Sequence, residues 1–504
     1  MTTLTTGTDT LTRDALTVLQ PGFVGTTAPD WLLRRIGEGL SSVGLFGRNI
    51  ASPEQLAALT ARLRAERDDV LVAIDEEGGD VTRLEVRHGS SFPGNYALGA
   101  VDDTDLTRAV ARELGRRLAE CGVDLNWAPS ADVNSNAENP VIGVRSFGAD
   151  PALVARHTVA YVEGLQAVGV AACTKHFPGH GDTNVDSHHA LPRIDVGLAT
   201  LHARELVPFR AAIAAGTKAV MSAHILLSAL DPDRPATLSP QILTGLLRQE
   251  LGFDGLIVTD GMEMRAIAST YGIERGSVLA IAAGADAICV GGGLADEGTV
   301  LRLRDALIDA VRTGELPEER LADAAARVRA LAAWTQAHRA RGALSGPGAA
   351  VQEGTAPGTE IGLVAARRAL TVTPGERHTP MTSAPYVAAF TPVPNIAVGD
   401  ETPWGVAAEL ERLLPGTATG TYGAPSVDAV LAAAGERRIV AVVRDAHRHP
   451  WMTEALDALL AARPDTVVVE MGLNGSQPRG ALHIATHGAA RVCGRAAAEA
   501  IAGV

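Results

Sequence analysis

The densest chemistry in the sequence lies in one stretch, Lys175-His176-Phe177-Pro178-Gly179-His180-Gly181-Asp182-Thr183, followed closely by Val185-Asp186-Ser187-His188-His189. Four of the fourteen histidines fall between residues 176 and 189, a density that asks for a reason. Pro178, Gly179 and Gly181 break any helix, so the stretch reads as an irregular loop. Three chemistries fit it. His176, His180, Asp182, Asp186 and His188 are all able to ligate a metal, although their spacing matches no HExxH-type pattern. The histidines can equally bond backbone groups and serve only the loop itself. The favoured reading is a general acid/base site. Asp186 and His188 stand two residues apart, so a turn at Ser187 brings carboxylate and imidazole together, and the carboxylate orients the ring and holds its proton near neutral pH.

Lys175 stands out against the composition. The chain has only two lysines, Lys175 and Lys218, and uses arginine everywhere else. A compact ammonium differs from a guanidinium in shape and in the groups it clamps. Three further constellations carry candidate groups. In Ile257-Val258-Thr259-Asp260-Gly261-Met262 an aspartate ends an apolar run, as a catalytic carboxylate or as the cap of a following helix. In Ala73-Ile74-Asp75-Glu76-Glu77-Gly78-Gly79 the glycines turn the chain, and Arg83 follows. There Asp75 can accept hydrogen bonds from two hydroxyls, or simply cap or face solvent at a strand end. In Asn139-Pro140-Val141-Ile142-Gly143-Val144-Arg145-Ser146-Phe147, Arg145 is a ligand clamp or one half of a surface salt bridge.

These groups need elements to position them. Short apolar runs alternate with amphipathic stretches from residue 15 to about residue 290. The runs begin at Ala15, Val43, Val70, Val123, Val170, Lys218, Gly255 and Ala285. Each is short and apolar throughout, as expected of parallel strands buried on both faces. Helical patterns fill the gaps, for example PEQLAALTARLRAE from Pro53 and an Asp150-Pro151 helix start. Eight strands alternating with helices indicate an α/β protein with an N-terminal (β/α)8 TIM-type barrel over residues 1–340. Asp75, Asp132, Lys175, His176, His224 and Asp260 end or follow its strands, where a barrel gathers its chemistry. Residues 341–360 are rich in Gly, Ala and Pro and read as a linker. Residues 361–504 carry strands near Tyr386, Arg437, Asp465 and Ala481 and a helix from Thr453, a smaller C-terminal α/β sandwich domain.

Composition removes several classes. Hydrophobic residues make up 46% and charged residues 20%, which excludes a disordered chain. The balance of 44 basic against 58 acidic residues, net −14, excludes a nucleic-acid binder. No apolar run reaches the length of a membrane span. The N-terminus has no secretory pattern, which points to the cytoplasm. The four cysteines are scattered and read as small buried core residues.

Taken together, the four constellations, in this order and at these separations, resemble glycoside hydrolase family 3, and within it the NagZ-like β-N-acetylglucosaminidases. The resemblance runs from residue 15 to about residue 335 and is sharpest in KHFPGHGDT…DSH. It implies Asp260 as the nucleophile of a retaining double displacement and His188 as the general acid/base with Asp186 as its dyad partner. It further implies Asp75, Arg83, Arg145, Lys175 and His176 as binders of a terminal N-acetylglucosamine. It implies a small carbohydrate substrate from cell-wall turnover, with no cofactor and no metal. Phosphorolysis on the same intermediate, a β-glucosidase and a non-catalytic sugar-binding module are the competing readings. Two positions depart from the family pattern: Gly261 after the nucleophile, where a bulkier or acidic residue is common, and Asp80 after the two glycines, where arginine is common.

Overall fold

Each of the eight N-terminal apolar runs contains a strand, and the strands pair in parallel. The computed structural model describes residues 4–183, 185, 191–345, 360–376, 378–392, 402–424 and 426–504. The chain folds as two compact units: Met1–Glu76, Thr107–Ile142 and Ala149–Thr355 form the first, and Glu77–Leu106, Gly143–Gly148 and Ala356–Val504 the second.

In the first unit the strands of these runs are β1 (Leu19–Pro21), β2 (Ser42–Leu45), β3 (Leu71–Ile74), β4 (Leu125–Asn126), β5 (Ala171–Phe177), β6 (Ala219–Ser222), β7 (Leu256–Thr259) and β8 (Ile288–Val290). From β2 to β7 they form one curled parallel sheet in chain order. β8 pairs with β1, and Val258 bridges Ala287 just before β8. Along β1 and β2 the Ser42 hydroxyl donates to the Leu19 carbonyl at 3.1 Å. This is the strand order expected of the barrel.

Strand residues alternate between the two faces of a sheet. One set packs together: Leu71 and Ala73, Leu125 and Trp127, Ala171 and Cys173, Ala219 and Met221, Leu256 and Val258, Ala287 and Cys289. These spaced pairs from successive strands fill the interior, as layered side chains do in such a sheet. The helix Glu318–Ser345 adds Val328, Leu331 and Ala332 to the same cluster. It runs five residues into the stretch read as linker, because Arg, Gly, Ala, Leu and Ser there include no proline to stop it. All four cysteines are free and buried.

The second unit is built on a six-stranded sheet of β9 (Thr371–Pro374), β10 (Tyr386–Phe390), β11 (Ala418–Tyr422), β12 (Ile439–Val443), β13 (Val467–Glu470) and β14 (Leu482–Ala485). The order is β9-β14-β13-β12-β10-β11, parallel except for the antiparallel edge pair β9 and β14. Val387, Val440, Val442, Val467 and Val469 pack on one face with the helix Arg491–Ala502. Ala388, Ile439, Ala441 and Val468 pack on the other with Met452, Leu456 and Leu459 of the helix Pro450–Ala462. Four of these strands were legible as apolar runs. The two edge strands were not, since β9 is largely exposed and β11 carries little apolar character.

Candidate active site

The pleat of the first unit places its chemistry. Leu71 and Ala73 face the interior, so Asp75, two residues on, continues the inward set just past β3. Ala171 and Cys173 lead in the same way to Lys175, and Leu256 and Val258 to Asp260. Lys175 Nζ donates to Asp75 Oδ1 at 2.6 Å, with the lysine side chain 2% exposed. The other lysine differs: Lys218 sits before β6 with its ammonium 5.4 Å from the Trp334 ring centroid. Of the two lysines, only Lys175 is built into the interior among ionisable groups.

Asp132 is the hub beneath the loop. It is fully buried. Its Oδ1 accepts from the backbone N–H groups of His176 (3.2 Å) and His180 (2.7 Å). Its Oδ2 accepts from Ser130 Oγ (2.9 Å) and His176 Nδ1 (2.7 Å). Burial opposes its ionisation, but the charges and hydrogen bonds of His176 and His180 outweigh that and hold its carboxyl well below the ordinary range. Because Nδ1 of His176 is committed to Asp132, the ring is fixed in orientation and presents Nε2 on its other side. His180 is pushed down to about 4 by burial and by neighbouring His176, so its ring is neutral at pH 7. The loop is threaded through tight gaps: a Cβ on Gly181 would stand 1.7 Å from the Val133 carbonyl oxygen. Asn139 Nδ2 donates to the His180 carbonyl at 2.8 Å, which ties the loop to the segment after β4.

Asp260 does not cap a helix. The next helix starts at Arg265, with Met264 at its N-cap, while Asp260 Oδ1 accepts from Gly261 N–H at 2.8 Å. The turn that holds it is braced by His224, whose Nε2–H donates to the Gly261 carbonyl at 3.0 Å. Glu263 accepts from Gly291 N–H at 3.0 Å and from Gly292 N–H, joining this turn to the one after β8.

In the second unit Arg145 is buried, not part of a surface pair. It makes a two-pronged bond to Glu77, Nη2 to Oε1 at 2.6 Å and Nε to Oε2 at 3.1 Å. Asn95 Nδ2 donates to the Arg145 carbonyl at 2.7 Å and fixes the backbone there. Arg83 is half-buried in the same unit. Asp80 is buried too, pairing with Arg444 and accepting from Ala489 N–H at 2.8 Å. Its departure from the family pattern is thus used inside this unit.

The sequence-derived candidates divide accordingly. Asp75, Lys175, His176 and Asp260 lie in the first unit, and Arg83 and Arg145 in the second. Asp186 and His188 lie outside the described residues. Of the other conceivable metal ligands in the loop, His176 bonds Asp132, His180 Nδ1 lies 2.8 Å from Thr183 Oγ1, and Asp182 pairs with Arg204. Among the described residues no three His, Cys, Asp or Glu side chains gather as a metal site. Sequence reasoning marked Asp132 and His224 as strand-end groups but gave them no role. Glu77 was quoted only as a neighbour of Asp75. Their partners lie 44, 37 and 68 residues away, and no local pattern announces such pairings.

The fold and site describe an α/β protein with a curled parallel sheet that carries inward carboxylates and a lysine at its carboxyl ends. Residues 34–331 match the glycosyl hydrolase family 3 N terminal domain, and the chain belongs to that family. It is 36% identical over 329 residues to the beta-hexosaminidase A of Pseudoalteromonas piscicida, covering 60% of this chain and 55% of that one. The chain thus spans only about half the length of that relative. It is 38% identical to the beta-hexosaminidase of Stenotrophomonas maltophilia (strain R551-3) over 268 residues, 52% of this chain and 78% of that one. Among solved structures, a family 3 beta-N-acetylglucosaminidase from Paenibacillus sp. str. FPU-7 superposes with a TM-score of 0.84 at 34% identity, over 98% of this chain and 96% of that one. No helix among the described residues is long and apolar enough to cross a membrane.

Proposed function

We propose that this chain is a retaining β-N-acetylglucosaminidase that releases β-linked N-acetylglucosamine from non-reducing ends, in cell-wall recycling in the cytoplasm. Asp260 attacks the anomeric carbon and forms a covalent glycosyl-enzyme. His188, oriented by Asp186, protonates the departing oxygen and then deprotonates the water that releases the sugar. Asp75 and Lys175 bind sugar hydroxyls, and His176, Arg83 and Arg145 complete the hold on the sugar.

The observation that carries this reading is the shared inward parity of Asp75, Lys175 and Asp260 at the carboxyl ends of β3, β5 and β7. A nucleophile must be held still and aimed, and Asp260 sits on a turn pinned by His224. The likeness to the Paenibacillus enzyme over nearly the whole of both chains supports the substrate class.

The test is turnover of p-nitrophenyl N-acetyl-β-glucosaminide beside the plain β-glucoside, each with and without phosphate. Free N-acetylglucosamine from the first substrate, in phosphate as in its absence, supports the proposal. A sugar 1-phosphate product replaces it with phosphorolysis. Preference for the plain glucoside refutes the substrate class, and silence on both substrates refutes catalysis.

A further inference from the structure

The stem of the histidine loop is held from two sides, and only one of them is the Asp132 hub. On the other stands the wide helical turn Leu201–Glu205. Arg204 donates to Asp182 Oδ2 from Nη2 at 2.6 Å and to Glu205 Oε1 from Nε at 2.6 Å. One guanidinium therefore ties a loop carboxylate to a carboxylate of its own helix, using the planar fork that lysine lacks. Glu205 is buried, and its Oε2 has no hydrogen-bond partner among the described residues. That carboxylate oxygen lies against the loop: a Cβ on Gly179, where φ is +126°, would stand 2.9 Å from it. A half-satisfied buried carboxylate is costly, and an apolar residue would fill the same space more cheaply. Its place is explained if it serves the loop.

We infer that Arg204 and Glu205 are positioning residues that set the path of Gly179–Asp182, and through it the delivery of the acid/base group four to six residues further along the chain. The inference rests on the reading of His188 as general acid. On this reading neither residue touches substrate. Their effect is on how well the proton donor reaches the departing oxygen, so it should grow as the leaving group becomes more basic.

The experiment compares wild type, Arg204→Ala, Arg204→Lys, Asp182→Asn and His188→Ala on p-nitrophenyl N-acetyl-β-glucosaminide and on the methyl glycoside, with Tm measured for each. The p-nitrophenolate leaves with little help, whereas methanol needs a proton. The inference expects Arg204→Ala to lose about tenfold more kcat/KM on the methyl glycoside than on the aryl one, the scale of a small misplacement of a reacting group. Arg204→Lys should recover part of that selectivity. Asp182→Asn, which removes the charge on the loop side of the clamp and leaves the helix untouched, should show a selective loss in the same direction. A selective His188→Ala beside unselective Arg204 and Asp182 variants overturns the positioning role alone. Equal losses for His188→Ala on both substrates refute the acid/base reading, and the inference falls with it.

Discussion

Lys175 Nζ reaches Asp75 Oδ1 at 2.6 Å across β4, which lies between their strands in the sheet. The pair is a consequence of parity: both side chains follow two inward-facing residues on their own strands. Lys175 is almost fully buried and Asp75 mostly so, with 19% of its side chain exposed, unlike an ordinary solvated strand-end charge.

Breaking this pair from one side should be costly. Lys175→Met removes the ammonium hydrogen-bonded to Asp75, at a penalty of about 3 kcal/mol for a mostly buried pair. Adding Asp75→Asn should restore much of that stability, because no charge is then stranded. Activity should stay lost in both variants, with Tm and turnover measured side by side.

Arg145 makes its own test in the second unit. Its fork engages both oxygens of Glu77, and a lysine can satisfy only one. Arg145→Lys is expected to raise KM for the aryl N-acetylglucosaminide about tenfold, the worth of one charge-assisted hydrogen bond, with kcat changed less. A kcat loss at unchanged KM would place Arg145 elsewhere in the mechanism.

The Asp132 hub predicts an acid limb in stability. A carboxyl held below its unfolded value stabilises the fold above the ordinary aspartate range, and that contribution is lost as pH falls through and below about 4. His180 adds to the same limb: its folded value of about 4 lies below the unfolded one, so stability is lost as pH falls from about 6.5 through 4. Asp132→Asn should lower Tm at pH 7 and narrow its gap from wild type as the pH drops, with turnover reduced because His176 loses its anchor.

Glu205 works in the opposite direction. Burial pushes its carboxyl up to about 7 against the pull of Arg204. An acid whose folded value is raised stabilises below its unfolded value and loses that contribution as pH climbs through about 4.5 to 7. Glu205→Gln, which keeps the shape, should match wild type near pH 5 and melt about 2 °C higher near pH 8. A variant that melts lower at pH 8 would show that the charge on Arg204's partner matters more than its burial.

Much of this was readable in the sequence. The eight apolar runs, the polar groups Asp75, Lys175 and Asp260 at their ends, and the glycines that break the histidine stretch are all local signals. The hub was not. Asp132 meets His176 and His180 only after β4 and β5 have paired, and nothing near Asp132 in the chain encodes that. The grouping of Glu77–Leu106 and Gly143–Gly148 with the C-terminal segment was equally hidden. It arises from long-range pairs such as Asp80 with Arg444, and Arg491 with Ser91 Oγ at 2.7 Å. These join polar residues that look like ordinary surface residues when read one at a time.

The proposed mechanism passes through a covalent intermediate on Asp260. Its most direct measurement is the intact mass of the protein after incubation with a slowly hydrolysed, activated fluorosugar of N-acetylglucosamine, followed by peptide mapping. The expected result is the mass of one sugar added to most molecules, mapped to Asp260 and absent from Asp260→Ala, which also shows no turnover. A label on another residue, or an Asp260→Ala variant that still turns over the aryl N-acetylglucosaminide, would contradict it.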